Sequence, residues 1–236
     1  MSEMLKQLIT SNDIFIQAGV TILMTLTSTA FAYLIGLPIG IVLNITDKDG
    51  LCPCVWLNRI LGFFVNILRS MPFIILMVAF LPVAKFIVGT SLGNSAVVVM
   101  LVIAAAPYIA RMVESSLKEV DNGVVEAAKS MGAGTLAIIF KVYLPEAKPS
   151  LIIGAVISTV TVLGYSAMAS TIGGTGLGMV AIVYGHQRFN KDVIWICVAI
   201  TVIIVQIIQE VGMFIALKTD KRIKTKSRKL KKIKEK

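Results

Sequence analysis

The feature that most constrains this chain is the stretch from Ile14 to Ile45, which contains no charged side chain. About 20 apolar residues suffice to cross a bilayer as a helix, and the apolar part of a cleavable signal is shorter than this stretch. The stretch therefore predicts an uncleaved first transmembrane helix. Near its end, Gly36, Pro38 and Gly40 predict a weakened helix that a partner helix can approach closely.

Further apolar segments predict four more membrane-spanning helices. They run from Ile60 to Val83, Ser95 to Ala110, Pro149 to Ala169 and Val193 to Leu217. Only 15% of the residues are charged, against roughly a quarter in a soluble domain. The predicted fold class is therefore an all-α integral membrane protein with five transmembrane helices, and soluble enzymes and polar disordered proteins are excluded.

Charge predicts the orientation of the chain. Of the net charge of +10, nine charges lie in residues 218–236, which hold eleven Lys/Arg and two acidic residues. Such a cluster after an apolar span is typical of a cytoplasmic anchor on anionic lipid rather than of nucleic-acid binding. The Lys/Arg bias places this tail and the loops Thr46 to Arg59 and Arg111 to Lys148 inside. The prediction is an N-out, C-in transmembrane domain over residues 1–217 with a basic cytoplasmic tail over 218–236.

Metal, redox and nucleotide chemistry are not indicated in this chain. Cys52 and Cys54 form a Cys-Pro-Cys sequence without C-x-x-C spacing, and His186 is the single histidine. Residues 123–130 come close to the phosphate-binding pattern G-x-x-x-x-G-K-[ST], but Ala128 replaces the second glycine and the segment consists of helix formers. We therefore expect no metal site, no catalytic residue and no cofactor bound by this chain.

The predicted loop Arg111 to Lys148 has the pattern of two short helices. Asp121 and Asn122 are good N-cap residues for a helix over 123–131, and Gly132 and Gly134 then end it. A second helix is predicted over 135–142, closed by Pro145. The result would be a helix-turn-helix on the cytoplasmic surface, suited to contact with a soluble partner.

This loop also carries a spaced motif. Glu126-Ala127-Ala128 is followed four positions later by Gly132 and, after nine more residues, by Val142-Tyr143-Leu144-Pro145. The pattern resembles the "EAA, three residues, G, nine residues, I-x-L-P" coupling motif of ABC importer permeases, with Val142 in place of Ile as the only departure. The resemblance assigns contact with an ATPase subunit to the residues Glu126, Ala127, Ala128, Gly132, Val142, Leu144 and Pro145.

Other segments resemble the permeases of methionine ABC importers. These segments are residues 66–76, 88–91, 106–114 and 164–168. Permeases for polar amino acids typically have R-G-T-P where this chain has Arg69-Ser70-Met71-Pro72. The resemblance favours methionine, in its D or L form, and leaves open another small amino acid or a sulfur compound.

The resemblance also implies a fold and a set of partners. The fold is that of a type I ABC importer permease of the methionine type, in a bacterial inner or plasma membrane. The partners are a second copy of the chain, two ABC ATPase subunits that hold ATP and Mg, an extracytoplasmic methionine-binding lipoprotein and the lipid bilayer.

Five residues are candidates for the translocation pathway. Arg69 would cost about 2.5 to 3.5 kcal/mol at the centre of a span, so it should face protein or water together with Asn66 one turn away. The alternative, which has equal weight, is that Arg69 forms hydrogen bonds with helix-end carbonyls or lipid headgroups. Tyr165, Ser166 and Met168 are candidates for a gate in a segment of small residues, with plain packing as the alternative.

Two other classes of membrane protein fit the sequence less well. A membrane-embedded enzyme needs clustered acids, His or Cys, and no such cluster stands in the sequence. A secondary transporter or channel tends to have an inverted repeat and paired intramembrane charges, and five spans with one long loop do not divide into halves. Dependence on ATP distinguishes a secondary transporter from an ABC importer.

Overall fold

The computed structural model describes residues 13–219 as helices joined by short turns, with no strand among them. This confirms the all-α class. The predicted tail from residue 220 onward lies outside the described residues. Numbered along the chain, the helices are α1 (Asp13–Ile45), α2 (Val55–Ser70), α3 (Phe73–Ala79), α4 (Leu81–Val88), α5 (Asn94–Lys118), α6 (Asn122–Ser130), α7 (Thr135–Ser166), α8 (Leu177–Met179, continued as a π-helix over Val180–Gln187) and α9 (Lys191–Thr219).

Four of the described helices are long and apolar enough to cross a membrane, namely α1, α5, α7 and α9. A fifth crossing requires α2 and α3 together, and these two helices meet at an angle of 108°. The structure therefore supports a membrane protein with four or five spans.

The predicted span from Ile60 to Val83 is not one unbroken helix, because α2 ends at Ser70. Met71 has an extended backbone, with φ −79° and ψ 131°. The ring of Pro72 disfavours the helical conformation in the residue before it, which explains the break. The sequence Ser70-Met71-Pro72 thus produces a sharp bend within the predicted span.

The predicted loop from Arg111 begins as a helix, because α5 continues to Lys118. The charged side chains of this last part are paired along one face of the helix. Arg111 pairs with Glu114 three residues on, and Glu114 pairs with Lys118 four residues on. These pairs allow the helix to continue past the apolar segment.

The separate helix predicted over 135–142 is wrong as well, because it forms one helix with the predicted span from Pro149 to Ala169. Pro145 does not end this helix, α7. A π-helical turn over Ile139–Tyr143 precedes the proline, and the N–H of Leu144 donates to the carbonyl of Ile139 five residues back. Because this turn is wider than an α-helical turn, the helix can continue through Pro145, which has no backbone N–H to donate. Helix α7 ends at Ser166, and the chain then forms a 3₁₀ turn over Ala167–Ile172.

The main core lies around α5, which packs against α1 and α7. At the crossing of α1 and α5, a Cβ atom added to Gly36 would lie 2.8 Å from the carbonyl oxygen of Ala106. One added to Gly40 would lie 2.5 Å from that of Ala110. The close approach predicted from these glycines is confirmed, with α5 as the partner.

At the opposite side of the bundle from α6, the turn after α7 is hydrogen-bonded to residues near the starts of α5 and α1. The amide of Asn94, at the start of α5, bonds both the backbone N–H and the hydroxyl of Thr175. The side chain of Gln17 in α1 accepts from the N–H of Gly176 at 2.7 Å. Gly176 has a φ of +117°, which explains why glycine is needed in this turn.

Candidate functional site

Helix α6 begins with the predicted cap. The carboxylate of Asp121 accepts a hydrogen bond of 2.7 Å from the N–H of Gly123, and Asn122 is the first helical residue. A capping carboxylate of this kind satisfies one of the unpaired N–H groups of the first turn. The prediction of Asp121 as a helix cap is confirmed.

Helix α6 ends in a two-bond turn around Gly132. The N–H of Gly132 donates to the carbonyl of Lys129, and the N–H of Ala133 donates to that of Ala128. This pattern is the Schellman motif, which places one residue in the left-handed region. Gly132 is that residue, with a φ of +77°, and a Cβ atom added to it would have no neighbour within 4 Å. The backbone angle, rather than crowding within this chain, requires the glycine.

Helix α6 has one buried face and one exposed face. Val125 and Ala128 are buried in the main core, each about 5% exposed. Glu126 and Ala127 are exposed. Of the three residues in the Glu-Ala-Ala motif, the first two can meet another molecule, and the third fixes the helix to its own bundle.

The second half of the motif lies at the base of α7, against which α6 packs. Val142 and Leu144 are partly buried and pack on the main core, while Pro145 is exposed. Tyr143 between them is buried in that core. Helix α6 thus packs directly against the π-helical turn near the start of the long α7.

A group of charged residues that the sequence analysis missed joins α5 to its neighbours near α6. Glu114 is about 7% exposed and contacts Arg111 at 2.6 Å and Lys118 at 2.9 Å. Lys118 also contacts Asp47, in the turn after α1, at 2.7 Å. The spacing of the three charges on α5 could have indicated the pairs within the helix, but nothing local indicated Asp47.

Arg111 extends this group to α2. Its guanidinium donates to the backbone carbonyl of Gly62 at 3.2 Å and to the side-chain oxygen of Asn66 at 3.0 Å. Asn66, predicted for the pathway, is therefore a hydrogen-bond partner of Arg111. We call Asp47, Asn66, Arg111, Glu114 and Lys118 the charged network.

The pKa of Asp47 lies below its usual range, because Lys118 and then the N–H of Lys48 donate hydrogen bonds to its carboxylate. A carboxyl group with a lowered folded-state pKa stabilises the fold above its unfolded pKa, and the contribution is lost as the pH falls through the lowered value. The contact between the turn after α1 and the end of α5 therefore persists through the neutral range.

Replacing Glu114 with Gln is expected to destabilise the fold by about 1–3 kcal/mol, because this buried position loses the carboxylate that pairs with both Arg111 and Lys118. Thermal unfolding of the purified protein in detergent would measure the loss. The matched control is Glu119→Gln, which removes an exposed carboxylate five residues further on. Equal melting temperatures for the two variants would contradict a stabilising role for the charged network.

A pocket of about 120 Å³ lies at the break between α2 and α3, beside the middle of α5 and the end of α7. The guanidinium of Arg69 lies 6.0 Å from the centre of the Tyr108 ring. The rings of Phe73 and Tyr165 stack in parallel with their centres 4.6 Å apart. The structure thus brings together Arg69 and Tyr165, which were both predicted for the pathway, and adds Tyr108 and Phe73.

The other predicted gate residues do not line this pocket. Ser166 is buried, and its hydroxyl donates to the carbonyl of Leu163 at 2.7 Å. Met168 lies in the 3₁₀ turn and is 39% exposed. Among residues 13–219, no three His, Cys, Asp or Glu side chains lie close enough to hold a metal ion.

The sequence matches one family of membrane transport proteins. Residues 36–225 match the family described as binding-protein-dependent transport system inner membrane component. The chain belongs to this family, which confirms the class inferred from the coupling motif and places the protein in the inner membrane.

Two relatives with known names are methionine permeases. The chain is 48% identical over 202 residues to the probable D-methionine transport system permease protein MetI of Vibrio cholerae, covering 86% of this chain and 90% of the relative. It is 46% identical over 181 residues to the methionine import system permease protein MetP of Bacillus subtilis, covering 77% and 82%. The resemblance to methionine permeases that the sequence predicted is confirmed.

Solved structures agree with these relatives. The chain superposes on a structure of inward-facing conformations of the MetNI methionine ABC transporter with a TM-score of 0.88 and 40% identity, over 94% of this chain and 100% of that chain. An amino acid ABC transporter solved with histidines gives a TM-score of 0.76 at 17% identity. The second likeness shows the fold alone.

Proposed function

We propose that this chain is the membrane permease subunit of an ATP-driven ABC importer and forms the pathway by which methionine enters the cytoplasm. The observation that carries the proposal is the nearly full-length similarity, at 40 to 48% identity, to methionine permeases and to the membrane chain of a methionine ABC transporter. In this proposal ATP is bound and hydrolysed by a separate subunit.

The proposed assembly has two copies of this chain, two ABC ATPase subunits and a methionine-binding lipoprotein outside the membrane. The MetNI methionine ABC transporter supports the pairing with ATPase subunits. Exposed apolar side chains on α2 and α9, such as Trp56 and Ile203, support contact with lipid or with the second copy, since such surfaces are rarely left to water.

In this assembly α6 is the coupling helix. Its exposed residues Glu126 and Ala127 face the ATPase, and Gly132 sets the turn that positions them. The buried Val125 and Ala128 transmit movement to the base of α7. ATP can drive the cycle only by favouring one conformation of the assembly over the other, and the packing of α6 on α7 is where that preference reaches the membrane helices.

The proposed orientation has the N-terminus outside, the C-terminus inside and five crossings, with α2 and α3 forming the bent second one. Native thiols test it, because Cys52 and Cys54 are exposed and lie in the turn between α1 and α2, whereas Cys197 is buried. A membrane-impermeant maleimide should label inverted vesicles strongly and intact spheroplasts weakly. The comparison gives the side on which this turn lies.

The matched control for this labelling is the double variant Cys52→Ser and Cys54→Ser. It should lose nearly all of the label in inverted vesicles, because the remaining thiol is buried. Strong labelling of the unmodified chain in intact spheroplasts would overturn the proposed orientation.

A growth assay tests the proposed function in cells. A bacterial methionine auxotroph without its own importer should grow on micromolar methionine when it expresses this chain, the ATPase and the binding protein together. Omitting any one of the three should prevent growth. An assembled complex whose ATPase activity responds to the binding protein, but which does not restore growth on methionine, would support an ABC importer and reject methionine as its substrate.

A further inference from the structure

The pocket at the break between α2 and α3 has buried and exposed walls, since Phe73 and Leu76 are buried whereas Arg69 and Met71 are exposed. The hydroxyl of Ser150 donates to that of Ser116 at 3.0 Å, which fixes the register of α7 and α5 next to the charged network. Counted at 1.5 Å per residue, Tyr108 lies about 12 Å beyond this contact along α5, and Tyr165 about 22 Å beyond it along α7. With the charged network at the inner membrane surface, as in the proposed orientation, the pocket opens within the depth of a hydrocarbon core about 30 Å thick.

Arg69 brings an unpaired positive charge to this depth. In the part of the chain that the structure describes, no carboxylate lies within salt-bridge distance of its guanidinium. Its contact is instead with the ring of Tyr108, which leaves the donors at the edge of the guanidinium available. Ionisable residues inside a membrane are costly, and they usually pair with an opposite charge or mark a substrate path.

The remaining walls of the pocket suit an apolar side chain. Phe73, Leu76 and Met71 line it together with Tyr108 and Tyr165. A volume of about 120 Å³ equals that of about four water molecules, which fits an unbranched side chain of about four heavy atoms. A thioether also makes favourable contacts with aromatic rings.

We propose that this pocket is a substrate-binding site within the membrane, in which Arg69 binds the carboxylate of a free amino acid and the aromatic wall holds an unbranched apolar side chain. The proposal rests on the proposed function and gives it a site. Arginine suits this role, because its planar guanidinium binds a carboxylate through two parallel hydrogen bonds.

The site is also connected to the charged network. Asn66 lies one helical turn before Arg69 on α2 and accepts a hydrogen bond from Arg111 of α5. A movement of α5 relative to α2 therefore changes the position of Arg69. Substrate would be bound or released as the two helices shift during the transport cycle.

A photoreactive substrate tests this site directly. The probe is a methionine analogue with a diazirine in place of the thioether, applied to the assembled transporter in vesicles with binding protein and ATP. Mass spectrometry should find the label on residues 68–76, 104–108 or 165. Arg69→Met should reduce that label at least tenfold, whereas Arg69→Lys, which keeps the charge, should retain part of it.

The matched control is Lys85→Met, which removes another exposed cation, on α4, outside the pocket. Its labelling should equal that of the unmodified chain. Two outcomes would overturn the site: label only on other segments, or label in the pocket that Arg69→Met does not change. In either case, ATP-driven methionine uptake in the same vesicles would still support the proposed function. Absence of that uptake would contradict the proposed function and the site with it.

Discussion

Replacing Gly132 with Val is expected to lower ATP-dependent methionine uptake by a factor of about 5 to 30 while the chain remains inserted. Gly132 holds a φ of +77° at the end of α6, and a left-handed backbone costs other L-residues about 1–2 kcal/mol, with β-branched residues worst placed. That strain alone lowers the population of the native turn by a factor of about 5 to 30. The substitution displaces the exposed face that meets the ATPase, and co-purification of the ATPase subunit should fall with uptake.

Gly134→Val is the matched control for this prediction. Gly134 lies two residues further on, is exposed like Gly132, and has an ordinary φ of −70°. A Cβ atom added there would also meet nothing within 4 Å. The two variants thus differ mainly in backbone strain. If both bind the ATPase and transport equally well, the conformation of the turn after α6 does not matter for coupling.

Replacing Gly40 with Val is expected to prevent stable folding. The added atoms would meet the carbonyl oxygen of Ala110 and the side chain of Val113, both on α5 at its crossing with α1. Overpacking of a well-packed core typically costs about 1–3 kcal/mol, and here the obstacle includes backbone that cannot rotate away. The variant should be recovered mostly as aggregate in size-exclusion chromatography.

Gly19→Val serves as the control for Gly40→Val. Gly19 also lies in α1, but a Cβ atom added to it has no neighbour within 4 Å. Both substitutions put the same side chain into the same helix, so intrinsic helix propensity is matched. A monodisperse Gly40→Val protein with the melting temperature of Gly19→Val would contradict the close crossing of α1 and α5.

Features encoded in short stretches of sequence were predictable. The first apolar helix follows from the uncharged stretch after Ile14, and the close approach of a partner helix follows from Gly36 and Gly40, although only the structure identifies that partner as α5. The ends of α6 follow from Asp121 and Gly132, since a capping side chain and a left-handed glycine act within a few residues. In each of these cases the cause and the structure lie in the same segment.

Features that depend on distant contacts were not predictable. Pro145 indicates a helix end locally, but the π-helical turn before it lets α7 continue. Asp47 is paired with Lys118 only because α1 and α5 cross. The pocket at Arg69 needs the bend at Pro72 to bring Phe73 against Tyr165, and no spacing in the sequence indicates that contact.

Uptake of methionine by the reconstituted transporter tests the central claim most directly. Proteoliposomes would contain this chain and its ATPase, with binding protein on one side and ATP on the other. The proposal predicts that radiolabelled methionine accumulates only when ATP and binding protein are both present. Accumulation that follows an ion gradient and ignores ATP, or an inserted chain that associates with no ATPase, would contradict it.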